Sequence, residues 1–288
     1  MAAAIIIGTS DVANAGLFLS AVSLRRCFYP ILLLALLSGC ATQPLPSVQQ
    51  FLKLDTDPRV RYEAGADAYA RLVAGLLPLA IQQVEIVHAR PFSSAVEVFV
   101  CASVDCFAGY VRTPNLSAAT VRDNRVFLAP QLYGREAHRL QPILTHELSH
   151  LHLGQQIGHY TTKVPAWFHE GLAALASDGG GADYATDAQA IAAIRQGKMF
   201  APETRDTPSQ RHTAEFWGLD VYTFYRQSML FVGYLRDLSA DRFQDFLQAV
   251  QDQEDFDLAF GNAYNMSLGD AGTRFRQSHH LPQLTTSE

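Results

Sequence analysis

The chain has 288 residues, of which 48% are hydrophobic and 17% are charged, and its formal net charge is −6. This composition is typical of a globular protein of one or two domains. The acidic balance argues against a nucleic-acid-binding protein, which would need a basic face, so we expect no nucleic-acid partner.

The first forty residues differ in character from the rest of the chain. Arg25 and Arg26 precede a short apolar run that ends at Leu37, and small residues follow up to Cys40. A positive flank, a short apolar core and small residues before a cleavage point are the parts of a secretory signal, predicted here for residues 1–39. An uncleaved N-terminal anchor is the alternative.

The end of this segment, Leu37-Ser38-Gly39-Cys40, resembles the lipobox of bacterial lipoproteins, in which the cysteine becomes the lipidated first residue. The resemblance implies that Cys40 carries a lipid anchor in the membrane. Pro44 and Pro46 interrupt any helix after it, so residues 40–50 are predicted to form a tether. Ala41, rather than aspartate, follows the cysteine. In Gram-negative lipoproteins this resembles an outer-membrane address, so we expect a periplasm-facing protein of the bacterial cell envelope.

Two cysteines remain in the body of the chain, Cys101 and Cys106. The periplasm is oxidising, so the pair could close a small disulfide loop. No second pair is present to complete a four-thiolate zinc site. We expect the disulfide, and free thiols are the alternative.

Residues 51–284 are predicted to form one α+β domain. Apolar residues at helical spacing predict a helix from about 58 to 80. Runs rich in β-branched and aromatic residues predict strands at 84–89, 96–102 and 125–130, with an edge strand at 107–112. Beyond Gln141 the chain is predicted to be helical nearly to its end. We therefore expect a small, mostly antiparallel N-terminal sheet followed by a helical C-terminal part.

A predicted helix over 141–153 contains His146-Glu147-x-x-His150. His146 and His150 are one turn apart on a shared face, so both imidazoles can bind one zinc ion at about 2.0–2.1 Å. Glu147 points about 100° around the helix. It is poorly placed as a third ligand but can contact a water on the metal, which is the position of a general base.

A catalytic zinc usually has three protein ligands. The extended motif H-E-x-x-H-x-x-G-x-x-H does not supply the third, because Leu153 and Gln156 stand where it requires glycine and histidine. A second predicted helix, 164–177, can begin at Pro165 and carries Glu170 among apolar neighbours. Burying a carboxylate there is costly unless something pairs with it, and a zinc ion would.

His146-Glu147-x-x-His150, followed by Trp167-Phe168-His169-Glu170-Gly171-Leu172-Ala173, resembles the gluzincin metallopeptidases, and most closely their aminopeptidase N-like branch. The resemblance implies a thermolysin-like catalytic core with zinc in a cleft. It also implies His146, His150 and Glu170 as ligands, and Glu147 as the base. In related folds the substrate adds as a strand to an exposed sheet edge, for which 107–112 is the candidate.

The same resemblance implies a tyrosine that stabilises the oxyanion. Tyr225, on a predicted helix over 222–235, is the best match, and Tyr222 is the fallback. Both could equally belong to the core-facing side of that helix. His169 and His212 are further candidate donors, although a lone histidine is more often structural.

These residues predict a zinc-dependent peptidase of the bacterial cell envelope that hydrolyses peptide bonds in a peptide or protein substrate. The G-[AG]-M-E-N segment that binds the substrate amine in aminopeptidases of that branch is not found, which favours an endopeptidase or a specialised processing enzyme. One alternative is a non-catalytic lipoprotein that uses zinc for stability or binds peptides. Another is a hydrolase of cell-wall peptides.

Overall fold

The structure is a computed structural model that describes residues 47–111, 118–158 and 162–280, within one compact unit, Leu45–Glu288. The predicted signal peptide, Cys40 and most of the predicted tether lie outside these residues. The described strands are β1 (Leu52–Leu54), β2 (Asp57–Tyr62), β3 (Val98–Val100), β4 (Ala119–Arg122) and β5 (Arg125–Leu128). The described α-helices are α1 (Asp67–His88), α2 (Val104–Ala108), α3 (Leu140–Ile157), α4 (Ala166–Ala176), α5 (Asp187–Arg195), α6 (Val221–Leu238), α7 (Ala240–Gln251), α8 (Phe256–Tyr264) and α9 (Leu268–His280). Short 3-10 helices lie at Val48–Gln50, Pro130–Leu132 and Ala137–Arg139.

The described strands form one five-stranded sheet in the order β1-β2-β3-β5-β4. The outer pairs, β1 with β2 and β4 with β5, are antiparallel, whereas β3 runs parallel to both β2 and β5. The α+β class, with the sheet on the N-terminal side and helices after it, is confirmed. The prediction of a mostly antiparallel sheet is wrong, because α1 carries the chain back across the sheet and so permits the parallel pairing of β2 and β3.

The predicted strand at 84–89 is wrong, because residues 84–88 form the last part of helix α1. Val84 and His88 continue a buried stripe at helical spacing, and burial of this face outweighs the strand preference of the individual residues. The buried face consists of Tyr69, Ala70, Val73, Leu77, Ala80, Val84 and His88. The helix begins at Asp67 and not near 58, where β2 lies instead. Among the described helices, α1 is long and apolar enough to cross a membrane. The buried helix of a protein core can have the same length and composition.

The predicted edge strand at 107–112 is also wrong for the residues that the structure describes. Phe107 belongs to α2, whose first turn is capped by the Ser103 hydroxyl accepting from the Cys106 N–H. The edge of the sheet is instead formed by β4, which joins β5 through a two-residue turn at Asp123 and Asn124. Both turn residues have positive φ, 48° and 60°, as the tight hairpin turn requires.

Cys101, directly after β3, and Cys106 in α2 are joined by a disulfide with a Cα–Cα distance of 5.7 Å. Next to the bridge, Glu63 accepts hydrogen bonds from the Ala102 and Ser103 N–H groups, at 2.7 and 3.0 Å. The bridge and this carboxylate together fix α2 against the end of the sheet.

Helix α3 lies between two apolar cores, which is what fixes its position. Leu144, Leu148 and Leu151 are buried in the cluster that α1 and the sheet share. Leu153 and Ile157 belong to the cluster built by the C-terminal helices. The polar side chains of α3 therefore project from a helix that is held on two sides.

Gly171 sets the close approach of α4 to α6. A Cβ atom there would lie 2.5 Å from the Ser228 carbonyl oxygen and 2.7 Å from Val232 Cγ2. We expect Gly171→Ala to lower the free energy of unfolding by about 1–3 kcal/mol, as overpacking does. Gly233→Ala is the matched control, because its Cβ would meet only Leu175 Cδ1 at 3.9 Å. It should be neutral or stabilise by up to about 1 kcal/mol. Urea denaturation measures both, and equal effects would contradict this account of the interface.

Candidate metal centre

Helices α3 and α4 bring the three predicted ligands together. His146 Nε2 and His150 Nε2 lie 3.0 Å apart, and Glu170 Oε2 is 3.5 Å from the first and 3.4 Å from the second. A tetrahedral zinc with ligands at about 2.0–2.1 Å separates its ligand atoms by about 3.3–3.4 Å. The triangle formed by the three atoms therefore has the size that one zinc ion needs.

The charges at this triangle also fit a cation. Glu170 Oε2 is buried and has no hydrogen-bond partner among the described residues, which is costly for a carboxylate oxygen. Burial opposes ionisation of Glu170, but His150 and His146 outweigh it and hold its pKa well below the usual range. The group is thus an ionised carboxylate facing two imidazole nitrogens. A divalent cation at the centre of the triangle would satisfy all three groups.

A hydrogen bond on its far side orients the first ligand. His146 Nδ1 lies 2.8 Å from the Gly180 carbonyl oxygen, which can only accept. Nδ1 therefore carries the proton and Nε2 directs its lone pair into the site, the arrangement typical of metal-binding histidines. Gly180 belongs to a turn of three glycines after α4, in which Gly179 and Gly181 have positive φ.

The turn of glycines packs against the His146 ring. A Cβ at Gly181 would lie 2.8 Å from His146 Cε1, so we expect Gly181→Ala to weaken zinc binding by about 10- to 100-fold. Gly197→Ala is the matched control: its φ of +78° is close to the +80° of Gly181, but a Cβ there meets nothing within 4 Å. Both variants should lose stability through backbone strain, and Gly181→Ala should lose more because its Cβ also overlaps the His146 ring. Zinc titration against a chelating dye distinguishes them, and unchanged affinity in Gly181→Ala would contradict the role of the turn.

Glu147 follows the first ligand on α3 and lines the cleft beside the triangle. Burial raises the pKa of its carboxyl to about 7, with His146 acting to lower it and Glu170 to raise it. A carboxyl group with a pKa near neutrality is suited to both accepting and returning a proton.

Three of the four predicted oxyanion donors line the cleft in the structure, and the fourth lies elsewhere. Tyr225 lines the cleft, and its ring stacks on that of His146 with a centroid distance of 6.0 Å. Burial raises the pKa of Tyr225 well above its usual value, and Glu170 and Glu147 raise it further, so the phenol remains a proton donor. Tyr222 and His169 also line the cleft. The His212 ring instead contacts that of Phe216, at a centroid distance of 4.0 Å, and His212 is not among the described residues that line the cleft.

The cleft has a volume of about 390 Å³ and is partly open to solvent. Residues 118–121, from the sheet edge, form one wall. Arg139 and Arg211 also line it, and the sequence interpretation missed both. A signal for the turn of glycines was present in the sequence, as three consecutive glycines after the second helix. Arg139 gave no such signal, because one of its two carboxylate partners, Asp183, is 44 residues away and the other, Glu136, does not place it in the cleft.

Comparison with protein-family models gives no match, and comparison with curated proteins gives no significant match. A functional proposal for this chain therefore depends on the residues of the cleft and their geometry.

Proposed function

We propose that the protein is a zinc-dependent peptidase of the gluzincin type, with a thermolysin-like catalytic core. The observation that carries this proposal is the convergence of His146, His150 and Glu170 on one point in an open cleft, with Glu147 beside them. A structural zinc site usually closes with a fourth protein ligand, whereas a catalytic one keeps a position open. The three-ligand group found among the described residues favours the catalytic type.

The metal ligands, Glu147 and Tyr225 have separate roles in the proposed hydrolysis of a peptide bond. A zinc ion bound by the three ligands would polarise the substrate carbonyl and acidify a water molecule. Glu147 accepts the proton of the attacking water and delivers it to the leaving amine. The phenol of Tyr225 donates a hydrogen bond to the carbonyl oxygen as negative charge develops there.

The edge strand β4 supplies a place for the substrate backbone. The Ala118 carbonyl accepts from the Ala129 N–H, and paired positions alternate along an antiparallel ladder. By that alternation, Ala119 and Val121 direct their backbone N–H and C=O groups away from β5. A peptide can therefore add as a further strand beside the metal centre. This edge replaces 107–112 as the candidate binding strand.

We also propose that the protein acts in the bacterial cell envelope, as a periplasm-facing lipoprotein of the outer membrane. Leu37-Ser38-Gly39-Cys40 and the Cys101–Cys106 disulfide support this location, since disulfides persist in oxidising compartments. Intact-mass spectrometry of the chain produced in a Gram-negative host tests it. A chain that begins at a lipid-modified Cys40 is the expected product, and an unprocessed N-terminus would contradict the proposal.

The peptidase activity is tested by incubating the zinc-loaded chain with casein, a peptide library and a peptidoglycan digest, and by identifying new termini with mass spectrometry. Cleavage of the peptide library that a chelator stops and zinc restores is the expected result. Cleavage restricted to the peptidoglycan digest would indicate a hydrolase of cell-wall peptides. Zinc binding without cleavage of any substrate would indicate the non-catalytic alternative.

A further inference from the structure

One buried carboxylate connects the start of α4 to the wall of the cleft. The Asp206 side chain is only 1% exposed. Its Oδ2 accepts from the Ala166 N–H at 3.1 Å, and its Oδ1 accepts from the His212 N–H at 3.0 Å. The Nε atom of Arg211 lies 2.6 Å from Oδ2. Ala166 is the first residue of α4 and Glu170 is four residues later. Asp206 therefore fixes the Arg211 guanidinium relative to the metal ligands.

Two arginines line the cleft, and they differ in how far their side chains are exposed. Arg139 is 8% exposed and pairs with two carboxylates, Glu136 at 2.5 Å and Asp183 at 3.0 Å. Arg211 is 37% exposed, and its contacts include the ion pair with Asp206. Arg211 is thus the more accessible of the two cations.

The two arginines also lie toward opposite ends of α4. Arg211 is tied through Asp206 to the first residue of the helix, whereas Asp183, the partner of Arg139, follows its last turn. Glu170 lies between them, and its charge and that of Glu147 would offset the charge of a bound zinc ion. Away from the metal, an anionic substrate group is therefore best placed near Arg211, whose planar guanidinium can bind a carboxylate.

We propose that Arg211 is a specificity-determining residue that binds a carboxylate of the substrate at the N-terminal end of α4. The proposal rests on the proposed peptidase function for the kind of molecule that enters the cleft. The carboxylate comes either from an acidic side chain near the scissile bond or from a free C-terminus. Asp206 is the positioning residue that holds the guanidinium in place.

Binding to a turnover-deficient chain tests the proposal separately from catalysis. Zinc-loaded Glu147→Gln is titrated with fluorescent peptides that pair glutamate with glutamine at each position, and a free C-terminus with an amide. We expect one carboxylate to strengthen binding by about 10- to 100-fold, the usual effect of a hydrogen bond to a charged group. Adding Arg211→Gln should abolish that preference while neutral peptides bind as before. Arg211→Lys, which keeps the charge but loses the planar fork, should retain part of it.

The matched control is Arg236→Gln, since Arg236 is an exposed arginine of α6 that pairs with its neighbour Asp237 and does not line the cleft. It should leave the preference intact. If Arg211→Gln removes the difference in binding between the glutamate and glutamine peptides, the carboxylate belongs to an acidic side chain of the substrate. If it removes the difference between the free C-terminus and the amide, the carboxylate is the C-terminal one. Equal binding of charged and neutral peptides would overturn the proposal and leave the peptidase function standing. Equal weakening of all peptides by Arg211→Gln would show a structural role and overturn it as well. A carboxylate preference in a chain that cleaves no peptide would refute the peptidase function alone, and failure to bind any peptide would refute both.

Discussion

Glu147→Gln is expected to lower peptide hydrolysis by about 10²- to 10⁴-fold while zinc remains bound. Glutamine has nearly the shape of glutamate but cannot take a proton from water, and Glu147 is not one of the three converging ligands. Hydrolysis of a quenched fluorescent peptide and zinc content should be measured on the same preparation.

The matched control for this variant is Glu254→Gln, which makes the same chemical change at an exposed site in the loop between α7 and α8. Its activity should equal that of the unmodified chain. Hydrolysis that survives in Glu147→Gln would show that another group activates the water. Loss of both zinc and activity would show instead that Glu147 helps to hold the metal.

Glu170→Ala is expected to weaken zinc binding by more than about 100-fold, beyond the effect usual for an outer-shell residue. The variant removes one of the three atoms of the triangle and leaves two imidazoles on one helix. A bound ion stabilises the folded state, by about 2.7 kcal/mol when its concentration is 100 times the dissociation constant. The melting temperature of the unmodified chain should therefore rise with added zinc and fall with a chelator. That of Glu170→Ala should change little with either.

Thermal melts with and without zinc measure this difference, and Glu147→Gln serves as the comparison because it keeps all three ligands. The same zinc-dependent shift in Glu170→Ala would show that the ion binds elsewhere. Such a result would remove the ligand set on which the proposed mechanism depends, whatever activity the chain has.

The local part of the site could be predicted from the sequence because its information lies within single helices. The spacing of His146 and His150 determines that they share a face of α3, and the apolar neighbours of Glu170 made a pairing partner necessary. Pro165 directly precedes the first residue of α4, as expected for a proline at a helix start. The structure brings the side chains of His146, His150 and Glu170 to one point, although the sequence alone could not show how α3 and α4 pack.

The errors in the fold have a common physical cause. The segment 84–89 is rich in β-branched residues, yet its burial continues the stripe of α1, and tertiary packing outweighs intrinsic preference. The segment 107–112 also contains good strand formers, but the Ser103 cap and the disulfide fix the short helix α2, which includes Phe107 and Ala108. In both places, the contacts that determine the local structure involve residues outside the predicted strand.

The parts of the cleft that the sequence did not predict depend on contacts between distant segments. β4 is only four residues long, too short for an alternating pattern to stand out. The Gly180 carbonyl reaches His146 across 34 residues, and Asp206 reaches the Ala166 N–H across 40. Each of these contacts exists only after the helices have packed.

Zinc X-ray absorption spectroscopy of the purified, zinc-loaded chain tests the central claim most directly. The account predicts about one zinc per chain, bound by two imidazole nitrogens and at least one oxygen at about 2.0–2.1 Å, with one imidazole lost in His150→Ala. A folded chain that takes up no stoichiometric zinc at micromolar supply would contradict the account. So would a metal whose surroundings are the same in the unmodified chain and in His150→Ala.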